Sequence, residues 1–499
     1  MTRRASLARL AATVFVVGSI LGAPFCGGTL RAGSAAAVER VSAALHLHSD
    51  LSTGDFSLEQ LTAMAEKQGL GALLLTENYL LRVEYGLPPF RALTRTVRDE
   101  RSVLDLGIDR YLARVAQARA ANPRVLIVPG VEVLPHYYWT GSPLMLDMEV
   151  HETQKNMLVF GLGDSALRAL PVVGNKIGGF GWTSLVDALP VILLVPGVYL
   201  LTRKRRSLKK LGRVVVVVKR RRWLAGSILC AIAVITLVRG WPFAVDPYPP
   251  YGDLGLAPHQ DLIDYVDRMG GVTVWSFPEA RDAGEQWIGP VKVSWYTPPY
   301  PDDLMRTARY TAFGGVYEDT TRIDRPGGSW DGLLGQFAAG DRSRPTWAVG
   351  ESGFHGFTAG KSLGKIRSVF LVEERTERAL LEALKRGRLY AVEQEGGAEL
   401  ALTEFSVRAG TSAGISGDLL RAPEASPIDI TVAVESTGPA TRDMRVTLVR
   451  NGAVVRAWTG PPPFRTVHRD VYDGSPTFYR LDVRGPGRLL SNPIFVRRQ

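Results

Sequence analysis

Two histidines one residue apart, His46 and His48, close the alternating apolar run VSAALHLHSD. In an extended segment residues i and i+2 point to the same side, so both imidazoles can converge on one point where a strand runs out. Imidazole is a common protein ligand for zinc, manganese or iron, and the chemistry this spacing predicts is metal binding. Donor-type residues close other apolar runs as well: Glu77-Asn78 after ALLLT, Glu132 after VLIVPGV, and Glu351 with His355 after TWAVG. Asn156 precedes MLVFGL, and Phe277 follows GVTVWS. Each has an ordinary explanation when taken alone, His355 as a surface histidine and Glu132 as a carboxylate opening a helix. Their recurrence at strand ends points to one shared site, because a βα barrel carries its reactive groups there. Asp50, Asp55, Glu77, His151 and Glu351 are further donors close in sequence, whereas His136 in LPHYYWTG reads as a loop residue packing with aromatics.

The elements that must position these residues alternate. Ala72 to Thr76, Val125 to Val133, Met157 to Leu162, Gly271 to Phe277, Thr346 to Gly350 and Val369 to Val372 read as buried strands. Between them, Ser57 to Lys67 opens with a Ser-x-x-Gln capping box, and Asp109 to Ala121, Gln260 to Met269 and Thr376 to Arg386 have helical periodicity. Repeated βα alternation predicts parallel strands and an α/β class, and the length favours a βα barrel over an open doubly wound sheet. No glycine-rich phosphate loop stands at a strand-to-helix turn, which argues against nucleotide binding. From Glu399 the texture changes to strands and turns, with Asn451-Gly452 in VTLVRNGAVVRAW as a two-residue hairpin signal. This predicts a small all-β, immunoglobulin-like sandwich over 398–499.

The 499 residues are 45% hydrophobic and 22% charged, with 60 Lys+Arg against 49 Asp+Glu, a formal charge of +11. Residues 203 to 222 hold eleven of those cations and no acid, so this one segment accounts for the whole excess. The remainder is formally neutral, and no nucleic-acid partner is expected. The basic block separates two apolar runs, Ser184 to Leu201 and Trp223 to Val238, each near the lower length limit for crossing a bilayer. Trp182, Trp223 and Trp241 fit an interfacial belt, and Asp187 and Arg239 fit the outer boundary. The positive-inside rule then places 203–222 in the cytoplasm and both flanking regions outside. A helical hairpin buried in a soluble protein is the alternative. At the N-terminus a basic Met1 to Arg4, an apolar Leu10 to Phe25 and small residues at Ala35 to Ala37 predict a signal peptide or membrane anchor within 1–37. Cys26 and Cys230 both fall in membrane-directed segments, so no disulfide framework and no cysteine nucleophile are expected.

The ordered series HLHS, LLLTEN, VPGVEV, NMLVFGL, VWSFPEA and GESGFH resembles the PHP (polymerase and histidinol phosphatase) family across most of residues 40 to 395. With the terminal strands ending in SNPIFV, the chain is similar to the carbaryl-hydrolase-type branch of that family. The resemblance implies a distorted (βα)7 PHP barrel over 38–165 and 251–397, interrupted by a two-helix transmembrane insertion over 166–250. It also implies a cluster of divalent metals that hydrolyses phosphoesters or related esters. His46, His48, Glu132 and His355 match the family's ligand positions. The departures are numerous: Thr76-Glu77-Asn78 for Thr-Asp-His, Asn156 for His, Phe277 for the His before Pro278, Gly353 for Asp, and Thr53 at an acidic or His position. Phenylalanine and glycine offer no side-chain donor, and close-set divalent ions repel unless carboxylates bridge them. The expectation is therefore at most one zinc, manganese or iron ion, or none, and catalysis impaired or lost. A residual single-metal hydrolase of a small ester or phosphoester and a non-catalytic extracytoplasmic binding or assembly module are the alternatives. The chain is expected in the cell membrane as a multi-pass protein, with the lipid bilayer as partner and the barrel and sandwich on the extracytoplasmic side.

Overall fold

In the computed structural model the described residues are 38–499, apart from positions 89, 242, 319–320, 358–359 and 439–441. The expected signal peptide or anchor within 1–37, with Cys26, lies outside them, as do the side chains of Trp182 and Asp187.

The α/β part is built from short strands whose side chains are buried. Strand Glu39–Leu45 pairs in parallel with Ala72–Leu74, which pairs in parallel with Leu126–Val128. A second sheet has the order Trp347–Gly350, Ala312–Val316, Val272–Trp275, Met157–Phe160, Gly130–Val133, Glu77–Asn78. The ends of the two sheets are stitched together beside the two histidines: Phe354 N donates to His46 O (3.1 Å), His48 N to Phe354 O (2.9 Å) and Thr76 N to Leu47 O (3.0 Å). One continuous apolar core, running from Val41 through Val274 to Leu384, fills the interior.

The helices form where their caps predict. Helix Leu58–Lys67 starts at Ser57, whose hydroxyl accepts from Gln60 N while the Gln60 side chain accepts from Ser57 N. Helix Glu377–Arg386 starts at Thr376 and stops at Gly387, which takes φ 69° to end it. Ile108–Ala121 and Ala257–Arg268 complete the set predicted by periodicity.

Not every strand is parallel, which corrects the expectation drawn from βα alternation. Met157–Phe160 runs antiparallel to both neighbours. The connection leading to it is the hairpin Tyr138–Ser142/Asp147–His151 instead of a crossover helix, so the chain re-enters the sheet from the end it left. Ile366–Val372 likewise runs antiparallel to Glu39–Leu45. Ala312–Val316, with its Gly314-Gly315, lacks a strand pattern yet lies within the second sheet. A β-carbon at Gly314 would collide with the Glu351 carboxylate, so glycine is required there by the site.

Ile366–Val372 and Leu389–Glu393 continue into the C-terminal strands through Gly487–Ser491, forming one eleven-stranded sheet. A four-stranded sheet of Ser412–Ile415, Leu400–Ala409, Pro427–Ser436 and Phe464–Val471 packs with it around a second core that includes Val407, Ile430, Leu448 and Leu481. Asn451 and Gly452, with φ 51° and 84°, make the predicted hairpin turn.

The connection between Phe160 and Val272 carries two apolar helical segments. Residues Ser184–Thr202 form a 19-residue helical run that by length and composition could cross a bilayer, and Trp223–Arg239 is an apolar helix of 17 residues. They pack at Gly197 and Gly226, where a β-carbon on Gly226 would stand 2.8 Å from Gly197 O. Away from that contact Ile192, Val195, Trp223, Ile228 and Val238 are exposed. The connecting basic segment is ordered where a loop is expected: Lys204–Leu211 pairs with Val214–Arg221 across a turn at Gly212. Five consecutive valines, Val214 to Val218, explain the strand, since β-branched side chains favour extended backbone. Gly226→Leu is expected to wedge the helices apart and lower stability by about 1–3 kcal/mol. Thermal unfolding of the full chain in detergent reads this out, and an unchanged midpoint would contradict the close crossing.

Candidate metal centre

Strand Glu39–Leu45 ends one residue before His46, which takes φ 67°. The expectation that His46-x-His48 is an extended pair is corrected by this left-handed turn, a conformation that costs a non-glycine residue about 1–3 kcal/mol. The imidazoles converge nonetheless. His46 Nε2 lies 3.4 Å from Glu132 Oε1, and His48 Nε2 lies 3.4 Å from Glu132 Oε2. Strand Gly130–Val133 carries Glu132 to this point, and Asn156 Nδ2 donates to its Oε1 at 2.9 Å.

The surrounding hydrogen bonds hold both rings. Glu351, fully buried at the end of Trp347–Gly350, accepts from His46 Nδ1 (2.6 Å), Ser276 Oγ and Phe277 N (3.0 Å). His48 Nδ1 faces Ser52 Oγ at 3.4 Å, and the Ser52 proton is already committed to Glu77 Oε2. Ser49 supplies two further donors to Glu77, N at 2.9 Å and Oγ at 2.5 Å. Both imidazoles are therefore held through Nδ1 with Nε2 directed inward, and once His46 gives up its Nε2 proton both rings can offer that nitrogen to a metal. Among the described residues neither Nε2 atom, both buried, has a hydrogen-bond partner, and each faces Glu132 at 3.4 Å. One ligand atom each from His46, His48 and Glu132 falls within 4.8 Å of the others. Two imidazole nitrogens, with the His46 proton displaced, and one carboxylate suit a single zinc, manganese or iron ion, so the donor set fits the expected metal.

His355, the fourth predicted ligand, is not in that group of three. Its ring stacks on His48 (centroids 4.0 Å, planes 11° apart), and its Nδ1 meets Thr53 Oγ1 at 3.0 Å. Asn78 Nδ2 donates to the same Thr53 hydroxyl at 2.8 Å. Phe277, at φ 42°, stacks on His46 with centroids 5.0 Å apart. Gly353 has φ 57°, and a β-carbon there would lie 2.6 Å from the Phe277 ring and 2.7 Å from Lys361 Nζ. An aromatic ring and an ammonium thus fill the space beside the positions that lack donors, with Lys361 Nζ 4.8 Å from the Phe277 centroid. No sequence signal marked Lys361, whose place depends on the fold of its loop. His151 pairs with Thr140 (2.8 Å), and His136 packs near Tyr138 and Tyr248 as expected of an aromatic-loop histidine.

Burial alone would depress His46, but the Glu132 and Glu351 carboxylates outweigh it and hold the imidazole up at about 9. Burial would raise Glu132, and His46, His48 and His355 outweigh it, pulling the carboxyl down to about 2. Burial drives His48 well below its ordinary value, with His355, His46 and Lys361 adding to the effect. Burial raises Glu77 against the hydrogen bonds from Ser49 and Ser52. In the metal-free protein the raised His46 stabilises the fold fully below 6.5, and the contribution fades as pH climbs through about 9. At neutral pH an ion taking Nε2 must displace that proton. Metal uptake near pH 7 is expected to release about one proton per chain. Calorimetric titration in buffers of different ionisation enthalpy measures it; uptake without proton release would contradict the role of His46.

No family model and no curated protein matches the chain. Among solved structures, it is similar to a two-domain protein containing a predicted PHP-like metal-dependent phosphoesterase from Bacteroides vulgatus, at 11% identity and TM-score 0.34, covering 89% of this chain and 90% of that one. It is similar to a protein named as a metal-dependent phosphoesterase from Bifidobacterium adolescentis, at 14% identity and TM-score 0.29, covering 68% and 96%. An amidohydrolase from Chromobacterium violaceum aligns at 12% identity and TM-score 0.25, covering 63% and 87%.

Proposed function

We propose that the chain is a membrane-tethered protein of PHP type, a distorted (βα)7 barrel with an inserted transmembrane helix pair, whose reduced centre holds one divalent ion and whose multinuclear phosphoesterase chemistry is lost. The observation that carries this reading is the convergence of the buried Nε2 atoms of His46 and His48 on the two oxygens of the Glu132 carboxylate, each at 3.4 Å. Phe277 and Gly353 speak against further ions, since neither has a donor and a ring and an ammonium crowd the space between them. A bound ion would supply Lewis acidity. His46 and His48 would hold it through tautomers fixed by Glu351 and Ser52, and Asn156 would orient Glu132. On this reading the barrel and sandwich act outside the cytoplasm as a binding or assembly module.

A second reading, residual hydrolysis of a small ester or phosphoester, is favoured by ligand count. Three protein ligands leave one position of a four-coordinate zinc open. The test is turnover of bis(p-nitrophenyl) phosphate and p-nitrophenyl acetate by the zinc- or manganese-loaded full chain. No turnover above that of Glu132→Gln is expected; a chelator-sensitive rate that Glu132→Gln abolishes would establish the second reading and remove the first. For topology, a reporter inserted within Leu208 to Gly212 is expected to score cytoplasmic, and an external signal would overturn the placement.

A further inference from the structure

The basic β-hairpin has a charge pattern that its own fold does not satisfy. Its register sets Lys204 opposite Arg221 and Arg206 opposite Lys219 on one face, followed by Leu208 opposite Val217 and Lys210 opposite Val215. Directly opposed like charges destabilise an antiparallel pair. No acidic residue occurs within 203–222, and among the described residues none of Lys204, Arg206, Lys210, Lys219 or Arg221 has a carboxylate partner. Among the described residues the two strands pair with no third strand, and an isolated hairpin is marginal in water. Its apolar side chains are also uncovered, Leu208 at 74% and Val217 at 54% exposure.

We propose that this hairpin is a receptor for anionic phospholipid headgroups, the phosphates lying between the opposed cations. The proposal rests on the membrane-tethered reading and adds to it a lipid class and a recognition element. Continuity argues for a bilayer over a nucleic acid. Only Arg203 and Arg222 separate the hairpin from the helical run Ser184–Thr202 and helix Trp223–Arg239, whose outer faces are apolar and exposed. Strand residues rise about 3.3 Å each, so the first opposed cation pair lies about 7 Å and the second about 13 Å along the strands from the helix ends. The polar headgroup zone on each side of a bilayer is about 5–8 Å deep, so Lys204 and Arg221 stand at its level and the long side chains of Arg206 and Lys219 reach back towards it. Cations on long stems beside exposed apolar side chains suit that boundary, because the stems lie on the apolar layer while the charges reach the phosphates.

The experiment uses the full chain in nanodiscs of phosphatidylcholine alone or with a third phosphatidylglycerol, and follows tryptic cleavage of the Arg213–Val214 bond at the turn. Cleavage is expected to slow about tenfold in the anionic discs, and the slowing to shrink as salt screens the contact. The combined Lys204→Gln, Arg206→Gln, Lys219→Gln, Arg221→Gln variant, which keeps the cleaved bond, is expected to be cut at one rate in both discs. Equal rates for the unmodified chain in both discs would overturn the lipid proposal and leave the membrane reading standing. Failure of the chain to enter either disc would overturn both. Equal protection in phosphatidylcholine discs by inorganic phosphate or by a DNA duplex would also overturn it, the first as a general anion site and the second as a nucleic-acid surface.

Discussion

Glu132→Ala is expected to strip the protein of its metal, lowering affinity by at least about 100-fold. Glu132 faces both imidazoles, and its carboxylate is the acidic member of the three-donor cluster. Its removal also leaves His46 with Glu351 alone to support a proton, so the metal-free variant binds that proton less tightly than the unmodified protein. Glu351→Gln separates ligation from positioning. It leaves all three donors in place but weakens the bond that orients His46, and a smaller loss of about 10–100-fold is expected. Competition against a chromogenic zinc chelator measures both, with circular dichroism reporting that each variant is folded. Equal affinities for Glu132→Ala and the unmodified chain would mean that the ion sits elsewhere.

Arg480→Met is expected to destabilise the protein by about 3–5 kcal/mol. Arg480, on strand Thr477–Gly485, is fully buried and grips Asp331 of helix Ser329–Ala339 with two bonds of 2.6 Å, Nε to Oδ1 and Nη2 to Oδ2. Its guanidinium also lies over the Trp330 ring, 4.9 Å from the centroid. The substitution strands the Asp331 carboxylate in the interior with only the bond from Gly327 N. The cost comes from that unpaired charge more than from the lost attraction, so Arg480→Met combined with Asp331→Leu should recover much of it. Denaturant unfolding distinguishes the cases; a double variant no more stable than the single one would contradict this account. Arg488 and Asp324 form a second such contact, so the C-terminal strands are locked to the α/β core by charge pairs as well as by sheet continuity.

What the sequence disclosed was local. The Ser57 capping box and the Asn451-Gly452 turn depend on neighbours in the chain, and both form as expected. The imidazoles of His46 and His48 converge as the spacing predicts, but across a left-handed turn in place of an extended segment. What stayed hidden depends on distant segments. The direction of Met157–Phe160 is decided by a hairpin connection, and Gly314 looks like a strand breaker until Glu351 is seen to need its space. The missing donors are coupled in a way their positions do not reveal. Phe277 stacks on His46, and Lys361 stands beside the bare Gly353. Restoring Phe277→His and Gly353→Asp therefore requires Lys361 to be replaced as well.

The measurement closest to the central claim is the metal-to-protein ratio of the purified full chain, loaded with zinc or manganese and desalted, by elemental mass spectrometry. One ion per chain, lost when His46, His48 or Glu132 is replaced by alanine, is the predicted result. Two or three tightly held ions, or a single ion indifferent to all three substitutions, would contradict a centre reduced to His46, His48 and Glu132.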